Sequence, residues 1–467
     1  MKDASKSRAE STEPASEARR ERPAWFANIS TRLARIAQLA KQTPKMAFTS
    51  LSYLIDQKLL RWAFKQINRR GAPGVDGVTA AAYEAGMPEN LEDLERRFKT
   101  GRCWAPPVRR SHIPKGDGSE KRPIGIPTLE DKVLQCAVTR VLTEIYERDF
   151  LPCSFGFRPK RSAHQALQEI WDRTMEMGGC WLLDVDIRKF FDTLDHGHLR
   201  EFLRRRVRDG VVLRMIDKWL KAGVFEDETL RYPKEGTPQG GVISPLLANI
   251  YLHYVLDEWF ESEVKPRLQG RAFLVRYADD FVMGFEREDE ARKVLAVLSK
   301  RLERFGLSLH PKKTRLVDFR RPGRGQPDRP KGEGPARSFD FLGFTHHWGR
   351  SRKGKWVVRQ RTATTRLTRT LKAIATWCRR YRHLPVAKQH RALRLKLLGH
   401  YNYYGLTGNW DRLAAVKQAV ERIWHKWLDR RSQGRHLPWD RFRLLLQHYP
   451  LPPARVVHSV IKSAANP

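Results

Sequence analysis

Two adjacent acidic residues inside an apolar run constrain the fold more than any other feature of this sequence. The run AFLVRYADDFVMGF covers residues 272–285, with Asp279 and Asp280 near its middle. The aromatic and β-branched residues on either side favour strands, and the acidic pair favours a tight turn between them. Burying carboxylates is costly unless a cation or a hydrogen-bond partner compensates their charge. The sequence therefore predicts a hairpin with two carboxylates at its tip.

A second apolar run predicts a partner for that hairpin. The segment CWLLDVDI, residues 180–187, also has the composition of a strand, and it contains Asp186, 93 positions before Asp279. On one sheet, three carboxylates from the two runs would converge and repel one another, and Mg²⁺, which prefers oxygen ligands, relieves such repulsion. Two such ions about 3.5–4 Å apart can activate a 3′-hydroxyl and stabilise a pyrophosphate leaving group. A capping or turn role is the alternative for each carboxylate taken singly.

The charge balance indicates the kind of partner. The 467 residues include 89 Lys and Arg against 52 Asp and Glu, a net charge of +37. From Trp348 onward, 27 basic residues stand against only four acidic ones. Such an excess calls for a polyanionic partner, and no apolar run is long enough to cross a bilayer. We therefore expect a nucleic-acid partner and no membrane, and five dispersed cysteines fit reduced thiols in a cytoplasmic protein.

Composition and periodicity divide the chain into three parts. Residues 1–24 are predicted to be a disordered tail, and residues 25–345 the catalytic region. Within that region, helical spacing covers 51–67, and a strand–turn–strand unit covers 106–127. A Pro/Gly/Arg-rich loop at 320–337 precedes the boundary, and residues 346–467 are predicted to form a basic helical domain.

Eight sequence blocks occur in an order that resembles a known family. They are GAPGVDGVT (71–79), KRPIGIPTLEDKVLQ (121–135), SFGFRP (154–159), DVDIRKFFDTLDH (184–196), GTPQGGVISPLLANIYL (236–252), VRYADDFV (275–282), LHPKKT (309–314) and FDFLGF (339–344). Together they resemble a group II intron reverse transcriptase, also called a maturase, over about residues 50–460. The resemblance implies an α+β fold: a right-hand polymerase with fingers and a palm built on antiparallel sheet, followed by an α-helical thumb or maturase domain.

The resemblance also implies an RNA-directed DNA polymerase with a two-metal-ion mechanism. Its catalytic carboxylates would be Asp186, Asp279 and Asp280, and two Mg²⁺ ions would be held by Asp186, Asp279 and the main-chain carbonyl of Ile187. The incoming dNTP would be contacted by Lys115, Arg122, Phe191, Gln239 and Lys313. Leu342 and Gly343 would form the primer grip. Candidate RNA-binding residues are Arg359, Arg361, Arg366, Tyr403 and Tyr404.

Several of these assignments have plain alternatives in the residues themselves. Phe190 and Phe191 are adjacent, so one ring faces inward, and Phe191 is either a core residue or the gate that excludes a 2′-hydroxyl. Lys312 is as good a candidate as Lys313, and a solvated lysine pair is the default. Solvated hairpin charges are the alternative for Lys115 and Arg122. The tyrosines either stack on bases or pack internally.

The implied partners are group II intron RNA in a ribonucleoprotein, an RNA template with a DNA primer, and target DNA, in a cytoplasmic bacterial protein. Many relatives continue into a nuclease domain with paired cysteines and histidines, a pattern missing after Trp410, so we expect no second-strand endonuclease. Two other functions stay open: a domesticated reverse transcriptase in host defence or DNA repair, and an RNA-binding splicing cofactor with little polymerase activity. An RNA-dependent RNA polymerase is disfavoured, because Phe191 and the YADD tip point to deoxynucleotides.

Overall fold

Helices and three sheets alternate along the chain. The structure, a computed structural model, describes residues 24–115, 120–226, 229–231, 240–323, 337–351, 353–431 and 436–459. The helices are α1 (Ala24–Gln42), α2 (Gln57–Gln66), α3 (Ala80–Ala85), α4 (Met87–Lys99), α5 (Leu129–Asp149), α6 (Ala163–Glu176), α7 (His196–Arg206), α8 (Gly210–Leu220), α9 (Ser244–Leu252), α10 (Glu288–Arg304), α11 (Thr364–Arg380), α12 (Val386–Tyr404), α13 (Trp410–Asp429) and α14 (Trp439–His448). The strands are β1 (Val108–Lys115), β2 (Glu120–Ile126), β3 (Gly179–Val185), β4 (Val224–Glu226), β5 (Thr229–Arg231), β6 (Ala272–Tyr277), β7 (Asp280–Phe285), β8 (Arg315–Arg320), β9 (Ser338–Phe341), β10 (Phe344–Arg350) and β11 (Trp356–Thr362).

The predicted tail and the predicted boundary loop fall largely outside the described residues. Of the tail only Ala24 is described, and of the loop only 320–323 and 337. Among the described residues, no helix is both long and apolar enough to cross a membrane.

The helical spacing predicted over 51–67 is divided in the structure. A single 3₁₀ turn, Ser52–Leu54, precedes α2. The chain is extended at Asp56, and its carboxylate caps α2 by accepting a hydrogen bond from the Leu59 amide at 2.9 Å. An N-cap residue has non-helical dihedral angles, so the capping aspartate forces a break in what looks like one periodic pattern. Both pieces still bury their apolar residues in the same core.

The strand–turn–strand unit predicted over 106–127 is confirmed as the antiparallel pair β1 and β2. Ile113 lies opposite Arg122, and the turn at 116–119 is outside the described residues. β4 pairs in parallel with β1, which gives a four-stranded sheet in the order β2-β1-β4-β5. Among the helices, α1 and α2 pack against α5.

Both acidic apolar runs belong to a second sheet, with strand order β6-β7-β3-β8 and antiparallel pairing throughout. The hairpin predicted at 272–285 is therefore confirmed as β6 and β7, and the strand predicted at 180–187 is β3. The α+β class and the antiparallel core sheet follow the prediction.

The C-terminal part begins with a third sheet, in the order β11-β10-β9, and continues into α11–α14. β10 runs through the predicted boundary at 345/346, and the first helix after it starts at Thr364. Asn409 ties the sheet to the helices: its amide oxygen accepts from the Thr362 main-chain N–H at 2.9 Å, and its Nδ2 donates to the Thr362 hydroxyl at 2.8 Å. The helices enclose a separate apolar core that includes Leu393, Val416 and Trp424.

Candidate active site

Strand register brings the carboxylates of the two runs together. β3 pairs antiparallel with β7, and Val185 lies opposite Phe281. Extending that register by one residue sets Asp186 opposite Asp280. Because side chains alternate across a strand, Asp184 projects from the same face as Asp186. All three aspartates line one cavity of about 460 Å³.

The YADD tip is a two-residue turn, because Tyr277 pairs with Asp280 across it. Ala278 takes a left-handed conformation, with φ +58°. Asp279 belongs to the turn and is half-buried, whereas Asp280 is exposed at the start of β7. The sequence thus predicted that the carboxylates converge. The structure adds that Asp279 lies in the turn, whereas Asp280 lines the cavity.

Both acidic and basic side chains line the cavity. Asp340, from β9, joins the aspartates of β3 and β7, and the basic side chains are Lys312, Lys313, Arg315 and Arg366. Lys313 Nζ lies 2.9 Å from Asp186 Oδ2, and Arg315 Nε lies 3.0 Å from Asp184 Oδ2. Of the lysine pair, Lys313 is the one that contacts a predicted metal ligand.

Clustering of negative charge changes the acidity of this site. The pKa of Asp280 is raised to about 6, because the surrounding protein removes water and because Asp279, Asp186 and Asp184 repel its charge. Burial also raises the pKa of Asp184, against the effect of Arg315. A site that penalises its own negative charge favours a bound cation.

The donor set fits a hard divalent cation that retains other ligands. Among the described residues, no group of three or more His, Cys, Asp or Glu side chains is placed to hold a metal ion by itself. Carboxylates supplemented by a main-chain carbonyl, water and substrate phosphate are nevertheless the usual surroundings of Mg²⁺. The ammonium group of Lys313 already places a positive charge against the carboxylate of Asp186.

A buried ionic network supports the YADD turn from the side of the protein core. Arg276, one residue before the tetrad, is fully buried and pairs with Asp257. Its Nη1 also donates to Asn249 Oδ1 at 2.9 Å and to the Ala278 carbonyl at 3.0 Å. Asn249 and Asp257 lie eight positions apart on α9 and its π-helical continuation, about two turns, so both reach the same strand. In the sequence, Arg276 stands out only as a basic neighbour of the acidic pair. Its position within an apolar strand was the signal that could have predicted a buried ion pair.

The SFGF block packs directly against the same turn. A Cβ atom at Gly156 would lie only 2.4 Å from the Ala278 nitrogen. Asn249 Nδ2 donates to the Gly156 carbonyl at 2.7 Å, and the Phe155 N–H donates to the Arg276 carbonyl at 2.9 Å. Gly156 is therefore a position where only hydrogen fits, and the block supports the carboxylate-bearing turn.

The main chain around Asp186 is tied to the LHPKKT block. The His310 N–H donates to the Asp186 carbonyl at 2.8 Å, and Ile187, which is buried, forms an isolated antiparallel bridge with Leu309. This pairing explains how Lys313 reaches Asp186 although 127 positions separate them.

The two adjacent phenylalanines have different environments. Phe190 is buried in the core, and Phe191 is half-buried on the same short helical turn, Phe190–Asp192. Their rings meet edge to face at 5.2 Å. Phe190 is thus the inward ring, and Phe191 keeps a face available for a contact, as the gate hypothesis requires.

Three of the predicted nucleotide contacts have side chains outside the described part of the chain. Lys115 and Arg122 belong by main chain to β1 and β2, but their side chains lie outside the described part of the chain. Gln239 lies outside the described residues altogether.

The predicted primer-grip turn lines the same cavity as the aspartates. Leu342 and Gly343 connect β9 to β10 with φ of +49° and +82°, a two-residue turn of the type that joins twisted strands. Two contacts from the C-terminal part hold it. Tyr403 Oη donates to the Leu342 carbonyl at 2.9 Å, and the Ala363 N–H donates to the Gly343 carbonyl at 3.0 Å.

The RNA-binding candidates differ in how open they are. Arg359 and Arg366 are exposed, and Arg366 also lines the cavity, while Arg361 is half-buried. Tyr403 and Tyr404 pack against Phe344, with ring centroids 5.9 and 5.2 Å away. Internal packing thus accounts for much of the surface of both tyrosines.

Comparison with known proteins agrees with this geometry. A family described as “Reverse transcriptase (RNA-dependent DNA polymerase)” matches residues 113–346, a segment that contains Asp186, Asp279 and Gly343. Protein YkfC of Escherichia coli (strain K12) is 35% identical over 289 residues, which are 55% of this chain and 75% of that protein.

Two further relatives carry intron-related names. The group II intron-encoded protein LtrA of Lactococcus lactis subsp. cremoris is 36% identical over 223 residues, 47% of this chain and 37% of LtrA. Nuclear intron maturase 2, a mitochondrial protein of Arabidopsis thaliana, is 28% identical over 178 residues, 29% of this chain and 24% of the relative. With its carboxylate-bearing hairpin, the Leu342–Gly343 turn beside it and these matches, the chain belongs to the reverse transcriptase family, in the group of group II intron-encoded reverse transcriptases and maturases.

Proposed function

We propose that this chain copies RNA into DNA and binds the RNA of a group II intron to assist splicing and retrohoming. The proposed polymerase activity rests on one observation: Asp186, Asp280 and the Leu342–Gly343 turn line the same cavity. A polymerase needs carboxylates and a primer-holding element at one place, and three distant segments of sequence supply them here.

The carboxylates of Asp186 and Asp279, with the Ile187 carbonyl, would hold two Mg²⁺ ions, and Asp280 would support the site by its charge. Bound there, the ions would lower the pKa of the primer 3′-hydroxyl and neutralise the leaving pyrophosphate. Lys313 would exchange its contact with Asp186 for the pyrophosphate oxygens. The Leu342–Gly343 turn would hold the end of the primer against the carboxylates.

The remaining nucleotide contacts are proposed from the family pattern. Arg122 and Lys115, on the β1–β2 hairpin, would bind the triphosphate, Arg122 through its planar guanidinium. Gln239 would contact the nucleotide or template, and Phe191 would exclude a 2′-hydroxyl from the sugar site.

Intron RNA is the proposed partner of the basic C-terminal part. Its exposed arginines, among them Arg359 and Arg366, supply phosphate contacts, and template RNA, DNA primer and target DNA complete the set of partners. We propose that residues 346–467 act as the thumb and maturase region of a cytoplasmic ribonucleoprotein.

Primer extension tests the polymerase. The purified chain should extend a DNA primer on an RNA template with Mg²⁺, and Asp279→Asn should abolish extension because an amide is a poor Mg²⁺ ligand. Asp289→Asn is the matched control, since Asp289 is an exposed carboxylate on α10 paired with the nearby Arg287 and Lys293. Extension that survives Asp279→Asn, or no extension by the unmodified chain, would contradict the proposal.

The alternative is a splicing cofactor with little polymerase activity. The retained aspartates and their buried supports at Arg276 and Gly156 favour an active polymerase. A splicing assay on a group II intron RNA, run with the Asp279→Asn chain, separates the two activities. A domesticated enzyme would extend primers but not promote splicing.

A further inference from the structure

An exposed tryptophan borders a cavity that shares no residue with the candidate active site. Trp104 is 68% exposed, the highest exposed fraction among the large apolar side chains of the described residues. It stands just before β1, and the neighbouring cavity of about 350 Å³ is completed by Pro107 and by residues of α8 and the segment after it. A wide aromatic ring exposed at the rim of a cavity offers a face on which another planar group can stack.

The loop that carries the ring is rigidly held. Cys103 and Ala105, on either side of Trp104, are both buried. Lys218 Nζ donates to the carbonyls of Gly101 and Cys103 at 2.8 and 2.5 Å, which fastens the loop to α8. The ring is therefore presented by a fixed scaffold, and binding a partner there requires little ordering of the loop.

The charges beside the ring are positive. Arg214 and Lys221 line the cavity and are both exposed. The one acidic side chain in the lining, Asp217, is paired with Arg200, so its charge is already compensated. An aromatic face flanked by exposed cations matches an unpaired nucleotide, whose base stacks and whose phosphates carry negative charge.

We propose that Trp104, Arg214 and Lys221, here called the Trp104 platform, bind an unpaired segment of RNA outside the polymerase cleft. One base stacks on the Trp104 ring, and the flanking phosphates contact Arg214 and Lys221. The inference rests on the proposed function, because RNA is the polyanion that a reverse transcriptase must hold. The unpaired segment is either template ahead of the cleft or a loop of a structured RNA, and both present the same chemistry.

Stacking is measured with single-stranded RNA that carries 2-aminopurine, whose fluorescence is quenched when it stacks. The full-length Asp279→Asn chain is the background for every variant, so RNA binding is read without polymerisation. Trp104→Leu should abolish the quenching and weaken binding about 5- to 150-fold, the range that corresponds to loss of one base–aromatic stack. Trp104→Phe, which keeps an aromatic face, should retain most of both.

The cations are tested by salt dependence. Arg214→Gln and Lys221→Gln should each reduce the slope of log affinity against log salt concentration by about 0.7, the contribution of one phosphate contact on a single strand. Lys300→Gln removes the same charge from the exposed face of α10 and should leave the quenching unchanged. Unchanged quenching and affinity in Trp104→Leu would overturn the proposal. Displacement of the RNA from this site by an acidic peptide, with no aromatic groups, would also overturn it, since it would show that charge and not base stacking holds the RNA there.

Two RNA ligands distinguish the sources of the unpaired segment. If the platform holds template, Trp104→Leu weakens binding to a primer–template with a long 5′ template overhang and not to a blunt one. If it holds a structured RNA, the loss appears with an unprimed folded intron RNA. Loss with neither ligand overturns the platform, whereas failure of primer extension by the unmodified chain contradicts only the polymerase proposal.

Discussion

The guanidinium of Arg276 donates from Nε and Nη2 to the two carboxylate oxygens of Asp257, at 2.7 and 2.5 Å, and both side chains are completely buried. Two parallel charge-assisted hydrogen bonds fix the orientation of the guanidinium plane. The remaining Nη1 then points to the Ala278 carbonyl, in the turn that carries Asp279. This buried pair thereby links the π-helical continuation of α9 to the YADD turn.

We expect Asp257→Asn to lower the free energy of unfolding by about 3–5 kcal/mol, because it leaves the charge of Arg276 buried without its counterion. Denaturant unfolding followed by circular dichroism measures this loss. The exposed pair of Asp289 with Arg287 is the comparison, and Asp289→Asn should cost no more than about 1 kcal/mol. Equal, small losses in both variants would show that the buried network does not stabilise the fold.

Gly156→Ala should reduce primer extension about 100-fold, because its Cβ would displace the backbone of the YADD turn. Single-turnover extension with saturating dNTP measures the effect on the chemical step. Gly399→Ala is the matched control, since a Cβ there meets nothing within 4 Å, and in α12 it should be neutral or stabilise by up to about 1 kcal/mol. Normal extension by Gly156→Ala would mean that the turn tolerates the displacement.

Phe191→Ala should raise the incorporation of ribonucleotides relative to deoxynucleotides, because it removes the ring proposed to collide with a 2′-hydroxyl. The measurement is the ratio of kcat/KM for a dNTP and the matching rNTP. Phe190→Ala provides the contrast: it empties a buried site and should cost about 3–5 kcal/mol of stability without relaxing sugar selection. Unchanged sugar discrimination in Phe191→Ala would refute the gate.

Buried His346 should make the fold less stable in acid. Burial, with a smaller effect of His347, lowers its pKa to about 3. An unfolded histidine has a pKa near 6.5, so below that pH the unfolded state binds the extra proton and stability falls. From pH 6.5 to pH 5 the loss is about 2 kcal/mol, and it continues until the pH reaches the folded pKa.

His346→Leu tests that origin by urea unfolding at pH 7 and pH 5. The variant should lose about 2 kcal/mol less than the unmodified chain between these two values. His253 and His400, whose pKa values burial lowers to about 4, keep their own share of the pH dependence in both chains. An identical pH dependence in the two chains would exclude His346 as its source.

The amino-acid sequence by itself determined the local elements and the family. Strand composition around Asp279 and Asp280 predicted the hairpin, and the run at 180–187 predicted the strand that joins it, because local periodicity and turn chemistry depend on near neighbours. The block order predicted the family. Helix ends were less predictable, since the cap at Asp56 divides a pattern that looks continuous.

The tertiary structure alone decided what surrounds the carboxylates. Asp186 meets Lys313 across 127 positions, and Arg276 meets Asp257 behind the turn, through strand register and helix packing that no local pattern encodes. The absence of a Cβ at Gly156 matters only because Ala278 lies against it. The reason is physical: the free energy of these charges and close contacts depends on separations in space, and only folding sets them.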